Sequence, residues 1–187
     1  MSDKLIPGTT IPYENINGSA FSVFVPMINA TDGLALGQVC SVTGLEVSTI
    51  QNWVKRGYVP HPVKKKYYER HFARILLISA LKVSMQIEKI GELMTYVNGD
   101  TEDTSDDIIS ESLLFDYLCE TVRELDLEGY TEDEVRPVIE KVISGYSCPD
   151  EGAKERLILA LMVMVSAYVS GRIKCASDDY FNRLRTM

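Results

Sequence analysis

The sequence predicts an all-α protein carrying one small extended wing, and three observations predict it. Apolar residues recur at helical spacing through nearly every stretch after Leu34. The exception is 60–67, where Pro60 and Pro62 forbid a helix and favour extended chain. Charge also divides the chain: residues 33–97 hold nine Lys or Arg against four Glu, and residues 98–187 hold nine against twenty Asp or Glu. The formal net charge of -8 argues against a polyanionic partner for the whole chain. Its distribution argues for a basic module facing nucleic acid, joined to an acidic body that a duplex would repel. The expected organisation is an N-terminal arm over 1–33, a basic module with its wing over 34–97 and an acidic helical body over 98–187. At 187 residues and 45% hydrophobic content, a buried core is within reach.

Each element follows from local residues. Pro7, Gly8, Pro12, Gly18 and Pro26 lie among polar residues and predict a loosely structured arm, with one apolar patch, Phe21 to Val25, for docking on the body or a partner subunit. Thr31 or Asp32 would cap a first helix over Leu34 to Cys40, and Ser41 to Leu45 supply a turn. A second helix runs from about Glu46 to Arg56. It turns Val47, Ile50 and Val54 inward and leaves Ser48, Gln51, Asn52 and Lys55 on the opposite face. Amides pair bidentately with adenine and Lys reaches guanine or phosphate, so this face suits a major groove. Gly57 stops the helix as the C′ residue. Lys64, Lys65 and Lys66 then lead into Tyr67 and Tyr68, and three adjacent ammonium groups repel one another unless an anion lies alongside.

A helix over Tyr68 to Lys82 follows, with Arg70 and Arg74 as a basic edge near phosphate or in solvent, and then a helix over Gln86 to Val97 ended by Asn98 and Gly99. Asp100 to Asp107 lacks the Gly and Glu positions of a calcium loop and reads as a solvated linker. The body continues with a helix over Ile108 to Leu125. A capping box, Thr131 with Glu134, opens the next helix, which Gly145 ends. Lys154 to Arg172, apolar nearly all round between Leu157 and Val169, must be covered on every side, as the central helix of the body or in part as the seam of a homodimer.

Other classes are excluded by what the chain lacks. Cys40, Cys119, Cys148 and Cys175 have no metal-ligand spacing and are expected as buried free thiols, with no cofactor or metal. His61 and His71 stand beside the wing without a nucleophile motif, so no enzyme is expected. No signal peptide precedes Pro7, and the run Leu157 to Val165 is too short for a bilayer, so the expected place is the cytoplasm with no membrane partner.

The order TGLEVSTIQNWVKRGYV, KKKYYERHFARI and SMQIEKIGELMTYV resembles the DNA-binding domain of the MerR family of bacterial transcription regulators. Thr43 and Gly44 match that family's TG turn, Thr49 and Ile50 its T-[LI], Trp53 its second aromatic, Gly57 its glycine, and Lys66 with Tyr67 its R-Y wing. Gln51 and Asn52 stand where the family has Arg and an aromatic, so its contacts do not carry over unchanged. Residues 20–120, with NWVKRG and TYVNGD, also resemble a bacterial family of unassigned function catalogued as domain of unknown function 1836.

The resemblance implies a MerR-like winged helix-turn-helix, and together with the exposed face of the second helix and the basic wing it makes Ser48, Thr49, Gln51, Asn52, Trp53, Lys55, Arg56, Lys64, Lys65, Lys66 and Tyr67 the expected contacts to double-stranded DNA. It also implies a small-molecule effector in an apolar pocket beyond Ser110, while a homodimer is expected because one small reader with few cationic contacts would bind DNA too weakly to be specific. MerR relatives dimerise through a long helix after the DNA-binding domain. No heptad run follows Val97, so a dimer here is expected on another surface. The alternative is a winged-helix protein-interaction module that does not bind DNA.

Overall fold

The computed structural model describes residues 5–13, 18–125, 131–150 and 152–186. Among them the chain is helical, with no strand beyond three isolated bridges. The helices are α1 (Val25–Ala30), α2 (Leu36–Thr43), α3 (Val47–Lys55), α4 (Glu69–Leu81), α5 (Ile87–Asn98), α6 (Glu111–Glu124), α7 (Glu132–Val142) and α8 (Ala153–Arg185). A 3-10 turn, Phe21–Val23, precedes α1.

The chain is built around α4. Every residue from His71 to Leu81 is buried, because α2, α5, α6 and α8 all pack on this helix. A helix apolar on all faces must be enclosed in this way, and Leu76 and Leu77, fully buried, contribute about 1.5–3 kcal/mol each. The sequence assigns that central role to 154–172, which is only half covered: Leu157, Leu161, Met164 and Val165 face the core, whereas Leu159 and Val163 are 43% and 44% exposed. By length and composition α8 is apolar enough to cross a membrane, yet 56% of its most apolar window is buried against the protein's own helices.

The arm is not loose where it is described. Phe21 and Phe24 are buried, with Phe24 edge-on to Phe72 of α4 at 5.2 Å and Phe21 edge-on to Phe115 of α6 at 6.2 Å. The Asp116 carboxylate accepts from the Phe21 N–H at 2.8 Å and the Ser19 hydroxyl at 2.7 Å, which anchors the 3-10 turn to α6. Ile6 is fully buried, and Gly8, at φ +75°, lies against the Leu76 carbonyl, where a side chain would collide with the α4 backbone. The rest of the arm, 1–4 and 14–17, lies outside the described residues.

Several helix ends fall within a residue or two of expectation, but α2 runs on past Cys40 to Thr43, α6 starts at Glu111 rather than Ile108, and α8 continues past Arg172 to Arg185; the caps differ in kind. The first helix begins at Leu36, where the Gln38 side chain accepts from the Ala35 N–H at 2.8 Å. Thr31 instead donates to the Met27 and Gly33 carbonyls, and Asp32 accepts from the Tyr68 hydroxyl. Thr131 makes no side-chain cap, and the Glu134 N–H donates to the Thr131 carbonyl at 3.2 Å. Of the four thiols only Cys119 is buried; Cys148 and Cys175 are exposed. The Ser84 hydroxyl donates to the Ala167 carbonyl at 2.6 Å and fastens the α4–α5 turn to α8.

Candidate nucleic-acid interface

Helix α3 begins after Glu46 in extended conformation and ends where Gly57 takes φ +75°. Ile50 and Trp53 are buried and Val54 half-buried, while Val47, expected inside, is 45% exposed. The larger indole fills the core position one turn on from Ile50, and this corrects the expectation for Trp53: it packs inside rather than facing a ligand. Ser48, Gln51, Asn52 and Lys55 are all exposed, and Thr49 is half-buried. Four side chains at i, i+3, i+4 and i+7 thus form one outward stripe carrying a hydroxyl, two amides and an ammonium group.

Arg56 is exposed but engaged. Its guanidinium donates to Glu88 at 2.7 Å and to the Tyr58 hydroxyl at 3.0 Å, and stacks over the Tyr58 ring at 4.8 Å. The hydrogen bond to Glu88 raises the Arg56 pKa, and the same bond holds the Glu88 carboxyl below its usual range. Both bonds are made by Nη2, so a phosphate at Arg56 would share the guanidinium with Glu88.

After α3 the chain is clamped from beneath by the N-terminal half of α4. Arg74 donates to the Tyr58 carbonyl at 2.8 Å, and His71 Nε2 donates to the His61 carbonyl at 3.0 Å while its Nδ1 accepts from the Tyr68 N–H. Val59 and Pro60 are buried. Val63 and Lys66 then exchange backbone hydrogen bonds at 2.9 and 3.1 Å, closing a two-residue turn with Lys64 at φ 49° and Lys65 at φ 64°. Two positive φ values are the signature of a type I′ turn, which favours Asn-Gly. Lysine in this conformation costs roughly 1–2 kcal/mol per residue.

The three lysines do not behave alike. Lys64 and Lys65 are exposed at the tip, and neither has a carboxylate partner among the described residues. Lys66 is half-buried and donates to the Thr31 and Gly33 carbonyls at 2.9 and 3.1 Å, just past the C-terminus of α1. Tyr67 is 4% exposed and bridged to Leu34, and burial raises its hydroxyl pKa. Lys66 and Tyr67 are therefore corrected from DNA-facing residues to the anchor that ties the turn to the start of α2.

The basic edge of α4 is likewise internal. Arg74 is 1% exposed; it donates to Glu111 at 3.2 Å and to Thr101 at 3.2 Å, and burial pulls its pKa down while Glu111 pushes it back up. Arg70 donates to the same Glu111 oxygen at 3.2 Å and to the Asp103 carbonyl at 3.0 Å. Asp107, 3.8 Å from Arg70, has its pKa raised to about 6 by burial and then by Glu111. The acidic stretch after α5 is thus folded onto Arg70 and Arg74, with Glu102 accepting from the His61 N–H and paired with its ring. The sequence signal for this cluster is the acid-rich run following two arginines one turn apart, which has the same form for a solvated linker.

An uncharacterized protein of Bacillus subtilis (strain 168), YkrK, is 26% identical to this chain over 121 residues, which is 61% of this chain and 52% of that protein. The chain thus spans about half the length of the curated relative it matches. No solved structure matches the chain. The family model that matches is Domain of unknown function (DUF1836), over residues 31–117, the stretch that runs from α2 into α6 and holds α3, the 63–66 turn and the Arg74–Glu111 pair.

Proposed function

We propose that the protein is a bacterial transcription regulator that binds double-stranded DNA as a homodimer, with α2 and α3 acting as a helix-turn-helix and the 63–66 turn as its wing. The observation that carries the reading is the coexistence of two features: an exposed stripe of hydroxyl, amides and ammonium on α3, and the uncompensated charges of Lys64 and Lys65, held in a strained turn. Strain of this kind persists where function requires it. In this reading Gln51 and Asn52 read base edges while Lys55, Lys64 and Lys65 neutralise phosphates. A single small reader with so few cations binds too weakly to be specific, which is the reason for a dimer. The regulator is cytoplasmic and performs no catalysis; the body beyond Ser110 is the part that receives a signal.

Selection from a randomised duplex pool tests this directly. The expected result is enrichment of a sequence with two half-sites, bound with an affinity that falls steeply as salt rises. Gln51→Ala or Asn52→Ala then lowers affinity for that site by about 1–3 kcal/mol and leaves the salt slope unchanged. No enrichment, together with capture of a protein partner insensitive to salt, replaces this reading with that of an interaction module.

A further inference from the structure

The last third of α8 leaves the body. From Ile173 onward every described residue is exposed, and Ile173, Tyr180, Phe181 and Leu184 are 67%, 66%, 54% and 68% exposed. An isolated helix of this length is marginal in water, so a projecting segment with four large apolar side chains needs a cover that its own chain does not supply.

The pattern on α8 says what the cover is. Leu159, Val163, Ser166 and Ser170 on the body part, then Ile173, Ser177, Tyr180 and Leu184 on the projecting part, alternate in steps of four and three, and all eight are exposed. That is an exposed stripe of heptad spacing along about 38 Å of helix, apolar toward both ends and lined by small serines at 166, 170 and 177. On the body half the seam is the floor of an open groove of about 700 Å³, with Leu159, Met162, Val163 and Ser166 below, and walls that include Met85, Lys89 and Val135. One half of the seam is concave and the other projects.

We infer that a second copy of this chain docks antiparallel along α8, the projecting segment of each copy lying in the groove of the other. The register follows from the seam. Leu184 of one copy meets Leu159 of the other, Tyr180 meets Val163, Ser177 meets Ser166 and Ile173 meets Ser170, so large apolar side chains pair at the ends and the serines lie toward the middle. In this register Asp178 and Asp179 lie on the face of α8 turned away from the seam, in solvent, and the end carrying Arg183 and Arg185 reaches toward the start of the partner's α8, where Glu155 is held by Arg136 at 2.8 Å. A parallel pairing sets groove against groove and projection against projection, leaving the concave halves unfilled. The interface is isologous and closes at two copies. It deepens the dimer in the proposed function but does not rest on DNA binding.

The test is made on the full chain without DNA, so its failure and the failure of DNA reading are separate results. Sedimentation is expected to give a dimer, and Tyr180→Asp with Leu184→Asp a monomer whose body still unfolds cooperatively in urea, with a loss of helical signal no larger than the projecting segment accounts for. Register is read by cross-linking with Cys148 and Cys175 replaced by Ser. Ser166→Cys with Ser177→Cys in one chain forms an intermolecular disulfide, and Ser177→Cys alone does not. A monomeric wild-type chain overturns the proposal, as does a dimer that survives both Asp substitutions. Efficient cross-linking by Ser177→Cys alone overturns the antiparallel register.

Discussion

The Arg74 guanidinium and the Glu111 carboxylate meet at 3.2 Å with 1% and 2% of their side chains exposed. Helix α4, which underlies the candidate reader, is locked through them to α6 of the acidic body. Breaking a buried pair from one side leaves an uncompensated charge. Glu111→Ala, which also strips a partner from Arg70, is expected to cost about 3–5 kcal/mol by urea unfolding. The double change Arg74→Met with Glu111→Leu is expected to cost less than the single one, because the Arg74 guanidinium is no longer left buried without its carboxylate.

Asp107 gives this junction a pH dependence of known sign. Its folded pKa of about 6 lies above the ordinary carboxylate value, so the folded state binds the proton more tightly. The contribution of Asp107 is therefore greatest below pH 4 and falls as pH rises toward 6. Asp107→Asn is expected to raise the unfolding free energy at pH 7 relative to wild type, measured by urea titration, by an amount on the order of 1 kcal/mol. The gap between the two proteins should close as pH is lowered to about 4. A gap that widens on acidification reverses the assignment.

Thr121 is fully buried in α6 and its hydroxyl has no hydrogen-bond partner among the described residues. Valine keeps the shape and removes the unsatisfied group, so Thr121→Val is expected to stabilise the fold by about 1 kcal/mol in thermal or urea unfolding.

The lysines of the 63–66 turn are expected to separate by role. Lys64→Asn with Lys65→Gly suits the type I′ turn and raises stability, while flattening the salt slope of DNA binding by about 0.9 for each phosphate no longer neutralised. Lys66→Ala removes the bonds to the Thr31 and Gly33 carbonyls and acts chiefly on stability. Unfolding and salt titrations run in parallel on the two variants distinguish these roles.

What the sequence disclosed follows from what local pattern encodes. The spans of α3, α5 and α6 are legible because apolar side chains at helical spacing mark a buried face whatever covers it. The exposed stripe of Ser48, Gln51, Asn52 and Lys55 is legible as the complement of that face. Arg70 and Arg74 are not: two arginines one turn apart look the same whether they face water or, for Arg74, a carboxylate 37 residues further on. Lys66 reads like its neighbours because nothing local distinguishes an ammonium seated on carbonyls from one in solvent. Resemblance places Trp53 outward, and the volume of its indole puts it inside. The heptad seam on α8 is hidden by the apolar residues between its positions, which read as an all-round core helix up to Arg172.

Because α4 is enclosed by elements from both ends of the chain, its enclosure takes place late in synthesis. Phe21 and Phe24 leave the ribosome before α4 and are at hand to cover Phe72 as soon as it appears. Ala167, which fastens the α4–α5 turn through Ser84, follows Leu81 by 86 residues, about 4 to 17 seconds at the usual elongation rates. Through that interval α4 presents an apolar flank with its permanent cover still unmade. The 31–117 segment expressed alone lacks α8 and leaves that flank of α4 bare.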